Sequence, residues 1–192
     1  MFNWVAFLIY IFLMSFTPGP NNIMSMNNGV QRGFRKGLIF NLGIWVGIFW
    51  AMILCLAASA FLYTLIPRIQ FPMKIAGAGY MMYLILITIL PAQDHAVRDV
   101  KASFLWGMIL QFINPKLYIY GITSMSSYIL PFYGNLFILI GFSLILASMG
   151  FAGTIAWSLF GSLFSRLFKE HDRIVKVVMV LLLVYCAVSL FL

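Results

Sequence analysis

The sequence predicts an all-α, polytopic membrane protein. Its six transmembrane helices form two inverted three-helix halves, and the first helix of each half is broken by proline. Three observations carry this. Of 192 residues, 64% are hydrophobic and 8% charged, against ~45–50% and ~25% in soluble domains, so there are too few charges to cover a water-facing surface. The apolar runs are long and continuous, which suits helices of ~20 residues and not the alternating ~10-residue strands of a barrel. Finally, when the chain is split near residue 97, Pro18 and Pro115 fall at matching places in the two halves.

The spans follow in order as a single transmembrane domain, 1–192. The first covers about 2–26 and is interrupted at Thr17-Pro18-Gly19-Pro20. No Lys or Arg precedes it, so it lacks the basic start of a signal peptide and is expected to be retained. A polar, basic link at about 27–36 leads to the second span, about 38–64. Pro67 and Pro72 flank a tight link to the third, about 73–90, which stops at Pro91. A loop with Asp94, His95, Arg98 and Asp99 precedes the fourth, about 102–128, with Asn114-Pro115-Lys116 near its middle. Pro131 and Gly134 mark the turn to the fifth, about 135–159, and a basic loop leads to the sixth, about 174–192.

The net charge of +8 would suggest nucleic acid in a soluble chain. Here the basic residues sit between apolar spans and report orientation instead, so no nucleic acid is expected. Arg32, Arg35, Lys36, Arg98, Lys101, Arg166, Lys169, Arg173 and Lys176 share one side; Arg68 and Lys74 hold the other. The positive-inside rule makes the first side cytoplasmic, with both termini outside.

The breaks carry the chemistry. Pro18 and Pro20 lack N–H groups, so the carbonyls of Met14 and Phe16 lose their helical partners. In hydrocarbon such a break survives only where protein, water or ligand satisfies it. Asn21 and Asn22 stand where they would cap a second half-helix, whose free N–H groups and positive end suit a carboxylate. The freed carbonyls suit an ammonium, and together they describe a zwitterion site. The second break frees the Gln111 carbonyl, Gln111 and Asn114 add neutral hydrogen-bonding groups, and Lys116 adds a charge midway along its span. A central Lys costs roughly 2.5–3.5 kcal/mol, which marks it as a carboxylate partner or as a group that gives up its proton when desolvated. Paired broken helices point to the midplane site of a transporter. The candidate substrate-binding residues are Thr17, Pro18, Gly19, Pro20, Asn21, Asn22, Gln111, Asn114, Pro115 and Lys116, with Asn41 of the second span.

Other features are less specific. Gly29, Gly33 and Gly37, then Gly43 and Gly47, have the spacing of close helix packing and would suit a homodimer. Trp4, Trp106 and Trp157 read as interface anchors, Trp45 and Trp50 as packing. The acidic residues Asp94, Asp99, Glu170 and Asp172 all lie in expected loops, so no span offers a carboxylate for proton relay or for a hard cation. That weakens a cation exporter as the alternative. Cys55 and Cys186 raise a transmembrane thiol carrier as another alternative, without any Cys-x-x-Cys element. No enzyme activity, metal or cofactor is expected.

At Thr17-Pro18-Gly19-Pro20-Asn21-Asn22, followed by Gly33-Phe34-Arg35, the chain resembles the lysine exporter and homoserine/threonine resistance family. Leu110-Gln111-Phe112-Ile113-Asn114-Pro115-Lys116, with Tyr120-Gly121, falls where that family has its second motif. Arg166-Leu167-Phe168 and the tail from Leu181 to Val188 look most like its cysteine and O-acetylserine exporters. The resemblance implies a bacterial inner-membrane exporter of small amino acids, driven by the proton gradient. It carries a site role onto Pro18, Gly19, Pro20, Asn21, Asn22, Asn114, Pro115 and Lys116.

Overall fold

The structure, a computed structural model, describes residues 2–89, 103–165 and 172–189. Every regular element among them is helical: α1 (Trp4–Phe16), α2 (Pro20–Arg32), α3 (Phe34–Ile89), α4 (Phe104–Ile109), a 3₁₀ turn (Leu110–Phe112), α5 (Pro115–Thr123), a π turn (Ser124–Ile129), α6 (Leu136–Leu163) and α7 (Asp172–Ser189). Phe34–Ala57, 24 residues, and Leu136–Leu163, 28 residues, are each long and apolar enough to cross a bilayer. The α1–α2 pair forms a third such stretch, bent by 51° at its break. The acidic and basic loop residues at 90–102 and 166–171 lie outside the described residues.

The first link is shorter than expected. Instead of a loop over 27–36, α2 continues to Arg32 and only Gly33 leaves the helix. Two local effects extend it. Gln31 Nε2 donates to Asn27 Oδ1 at 3.0 Å along the helix face, and Gly33 turns the chain with φ 78 and ψ 162, its N–H closing on the Gly29 carbonyl. That conformation is open essentially only to glycine, so Gly33 is a turn residue and not part of a packing row.

The expected break between the second and third spans is also absent. Helix runs unbroken from Phe34 to Ile89 through Pro67 and Pro72. A proline deletes one backbone bond and crowds one carbonyl, but its fixed φ is itself helical. A helix in an apolar setting can carry prolines this way when neighbouring groups satisfy what is freed.

The main core is apolar and is drawn from α1, α3, α5, α6 and the two turns beside α5, while Ile23 of α2 packs in a second cluster with Ile85 and Leu183. Phe7, Ile11, Phe40, Ile44, Met52, Met125, Ile129 and Leu146 are each fully buried. Large apolar side chains also cover the outside, among them Val5, Ile9, Phe12, Leu42, Leu54, Leu105 and Phe137. A lipid-facing surface requires this and a water-facing one avoids it. The glycines work inside the chain. A Cβ on Gly29 or Gly161 would collide with the backbone of the facing helix, α6 or α2 respectively; so would one on Gly43 or Gly107, between α3 and α4. Small residues let these backbones touch, so the glycine rows no longer argue for a second copy. Among the tryptophans, Trp45 packs against the core as expected and bonds Ser148 Oγ at 3.4 Å, whereas Trp50 points outward at 54% exposure; Trp157 reaches the first break.

Candidate functional site

The first break is open at Thr17-Pro18-Gly19, where two missing N–H groups flank a glycine. Its orphaned carbonyls are claimed by side chains. Thr17 Oγ1 donates to the Met14 carbonyl at 3.3 Å, and Trp157 Nε1 of α6 donates to the Phe16 carbonyl at 3.0 Å. Asn22 was expected to cap α2. Gly19 holds the cap position instead, and Asn22, inside the first turn, turns back so that its Nδ2 serves the Ser15 and Thr17 carbonyls, both at 2.9 Å.

The second break is built differently. Asn114 caps α5, its Oδ1 accepting the Lys116 N–H at 3.2 Å, and Pro115 takes the first helical position, where its lack of an N–H costs nothing. The Gln111 carbonyl accepts the Asn114 N–H at 3.4 Å. The two helix starts are therefore unequal: α5 is capped by a side chain, α2 is not. Pro20 has no N–H, so Asn21 and Asn22 present the first backbone donors of α2, and no helical acceptor reaches them.

The breaks are pinned to each other. Asn21 Nδ2 donates to Gln111 Oε1 at 2.7 Å, and Gln111 Nε2 returns a bond to Asn21 Oδ1 at 3.2 Å. Gln111 is fully buried and is held by a further bond to the Gly107 carbonyl at 2.9 Å. Lys116 crosses the same gap: its Nζ donates to the Thr17 carbonyl and Thr17 Oγ1, both at 2.9 Å, and to the Pro18 carbonyl at 3.3 Å. An added Cβ on Gly19 would come within 3.1 Å of the lysine Cδ and Nζ, so glycine lets the chain lie against the break. The ammonium among the carbonyls of the first half-helix is therefore the protein's own.

A cavity of about 50 Å³ opens at this junction, room for a few waters. Gly19, Pro20, Asn21, Asn22, Asn114 and Lys116 line it, as expected, together with Ser15, Ile48, Tyr120, Gly150 and Thr154. Thr17, Pro18, Gln111 and Pro115 build the junction without lining the cavity; Asn41 also lies off the cavity, buried in α3. Tyr120 Oη donates to the Leu146 carbonyl at 3.1 Å and Thr154 Oγ1 to the Phe151 carbonyl at 2.8 Å, so both oxygens keep lone pairs for a donor. Ser15, Tyr120 and Thr154 sit in otherwise apolar spans; a polar residue inside a span was the signal for Ser15 and Thr154, while Tyr120 also falls beside the second family motif. Cys55 is buried against Gly121 and Met52, away from the cavity lining. The side chain of Cys186 lies outside the described residues. No three His, Cys, Asp or Glu come together among the described residues.

An apolar-coated helical bundle with two broken helices locked together around a lysine and a small cavity defines a class: a helical membrane protein. The LysE type translocator family model matches residues 12–192. The chain belongs to that family. It is similar to proteins named cysteine/O-acetylserine efflux protein from Escherichia coli (strain K12), Escherichia coli O1:K1 / APEC and Shigella sonnei (strain Ss046). It is 36% identical to each over 187 residues, covering 97% of this chain and 96% of each relative. No solved structure matches it.

Proposed function

We propose that this protein exports small, net-neutral polar amino acids of the cysteine and O-acetylserine type across the bacterial inner membrane, using the proton gradient. In this reading the chain crosses six times as two inverted three-helix halves, with both termini outside, which requires α3, one continuous helix in the structure, to turn near Pro67 and Pro72 in the bilayer, and the crossed breaks form the substrate site. The names of the relatives support the substrate class. The observation that carries the mechanism is Lys116 Nζ, 2.9 Å from the Thr17 carbonyl, beside the uncapped start of α2.

A substrate carboxylate meets two complementary groups there: the lysine ammonium, and the Asn21 and Asn22 backbone N–H groups at the positive end of α2. Its ammonium needs oxygen acceptors, which Ser15, Tyr120 and Thr154 supply from the cavity wall. A net-neutral zwitterion is then fully partnered. A second positive charge on the substrate would meet Lys116 without a lining carboxylate, so lysine is disfavoured.

The test is uptake and release by proteoliposomes holding the purified protein, with labelled cysteine, O-acetylserine and lysine, each with and without an imposed proton gradient. Release of the two neutral compounds, accelerated by the gradient, is expected. Preferential lysine release, or none of the three, overturns the proposal.

A further inference from the structure

Below the cavity, α2, α3 and α6 pack against one another, and their shared seam is polar. On α2, Asn22 lines the cavity, and Ser25 and Asn28 follow at successive turns. On α6, Thr154 lines it, and Ser158 follows one turn on. On α3, Ile48 lines it, and Asn41 and Gly37 lie below on the same face. The seam ends where Phe34 N donates to Ser162 Oγ at 3.3 Å, beside Arg32.

Ser25, Asn41 and Ser158 are each 0% exposed. Ser25 Oγ, Asn28 Nδ2, both amide atoms of Asn41 and Ser158 Oγ are buried without a hydrogen-bond partner. Local helix chemistry does not account for this. Ser126 and Ser143 settle their hydroxyls on the carbonyl one turn back, at 2.7 and 3.0 Å; Ser25 and Ser158 do not. Buried polar groups left unpaired cost stability, and inside a bundle such groups mark solute pathways. The seam is shut by contact of backbones: an added Cβ on Gly29 would collide with the Ser158 carbonyl. Ser158 Oγ lies against Gly37, where a Cβ would come within 3.2 Å.

We propose that this α2–α3–α6 seam is the route by which a small, net-neutral, hydrogen-bonding solute passes between the crossed breaks and the membrane face bearing Arg32, and that the structure shows it closed at Gly29 and Ser158. Opening separates α2 from α6 at that contact, and the waiting amides and hydroxyls then take over hydrogen bonds that water gave the solute. The solute's identity rests on the export reading; the route does not.

The test uses the full-length protein with Cys55→Ser and Cys186→Ser, carrying one new cysteine at a time: Ser25→Cys, Asn41→Cys or Ser158→Cys. Ile44→Cys, on the packed core face, and Leu42→Cys, on the outer face, serve as controls. A membrane-impermeant sulfonated methanethiosulfonate is applied to vesicles of each orientation. The seam cysteines are expected to react from the Arg32 side only, and the controls from neither. O-acetylserine should slow the reaction. Reaction without that protection keeps the route and overturns the substrate reading. No reaction from the Arg32 side, or reaction from the opposite side only, in variants that still transport overturns the route. Asn41→Leu is an independent arm. A blocked route predicts a raised melting temperature with efflux at background, and efflux retained in this variant contradicts it.

Discussion

If the two breaks are locked by the Asn21–Gln111 amide pair, the lock has a measurable coupling energy. Its two bonds, at 2.7 and 3.2 Å, connect residues far apart in sequence and leave both amides satisfied. Interhelical hydrogen bonds in a membrane protein average about 0.6 kcal/mol and reach about 1.7. The reciprocal pair should therefore contribute roughly 1.2 kcal/mol, with an upper bound of about 3.4. Asn21→Ala removes the donor to Gln111 Oε1, which sits on a fully buried side chain, so the single variant should cost about 1–3 kcal/mol. Gln111→Met also loses the bond to the Gly107 carbonyl, a term that cancels in a double-mutant cycle. The assay is equilibrium unfolding of the purified protein in mixed detergent micelles, for wild type, both singles and the double. The double variant should be more stable than the summed singles predict, by roughly 1 kcal/mol or more. Additive costs, with coupling below about 0.3 kcal/mol, would show that the breaks are not joined through this pair.

Three further outcomes follow from the same geometry. Gly33→Ala forces a side chain into φ 78, ψ 162 and should cost roughly 1–3 kcal/mol in the same unfolding assay, although nothing crowds the site. Trp157→Phe strips the donor from the Phe16 carbonyl and should destabilise by about 1–3 kcal/mol; no change would mean that Pro20 does not leave that carbonyl dependent on α6. Gly19→Ala places a methyl 3.1 Å from Lys116 Cδ and Nζ. It should raise the apparent KM for efflux while leaving expression and melting temperature near wild type, because the flexible lysine gives way more readily than the backbone.

Much of the junction was legible in the chain. Proline has no N–H, so the identities of the orphaned carbonyls, Met14 and Phe16, follow from position alone. Lys116 was legible as a central charge in need of a partner, but the sequence assigned it to a carboxylate or to proton loss, not to the Thr17 and Pro18 carbonyls it reaches. What could not be read was which groups would answer. Trp157 and Asn22 reach the break by packing geometry, and no periodicity encodes that. Asn22 looked like a cap because Asn caps well, yet Gly19 took the cap and freed Asn22 to serve the carbonyls behind it. The carbonyls that seemed set for a substrate ammonium went to the protein's own groups, and the acceptors left over, Ser15, Tyr120 and Thr154, looked like isolated polar residues in apolar runs. The long α3 and the one-residue link at Gly33 were missed for a related reason. Proline and polar clusters raise the odds of a turn, but a helix satisfied by its neighbours can run through both.

The central claim is that Lys116 serves the substrate at the crossed breaks, and the most direct measurement is labelled O-acetylserine efflux from proteoliposomes holding wild type, Lys116→Arg and Lys116→Gln, alongside their melting temperatures. Gln keeps hydrogen-bond donors for the Thr17 and Pro18 carbonyls but removes the charge. Lys116→Gln is predicted to fold, with a melting temperature within a few degrees of wild type, and to lose efflux, while Lys116→Arg keeps part of it. Wild-type efflux from a folded Lys116→Gln protein would contradict the account.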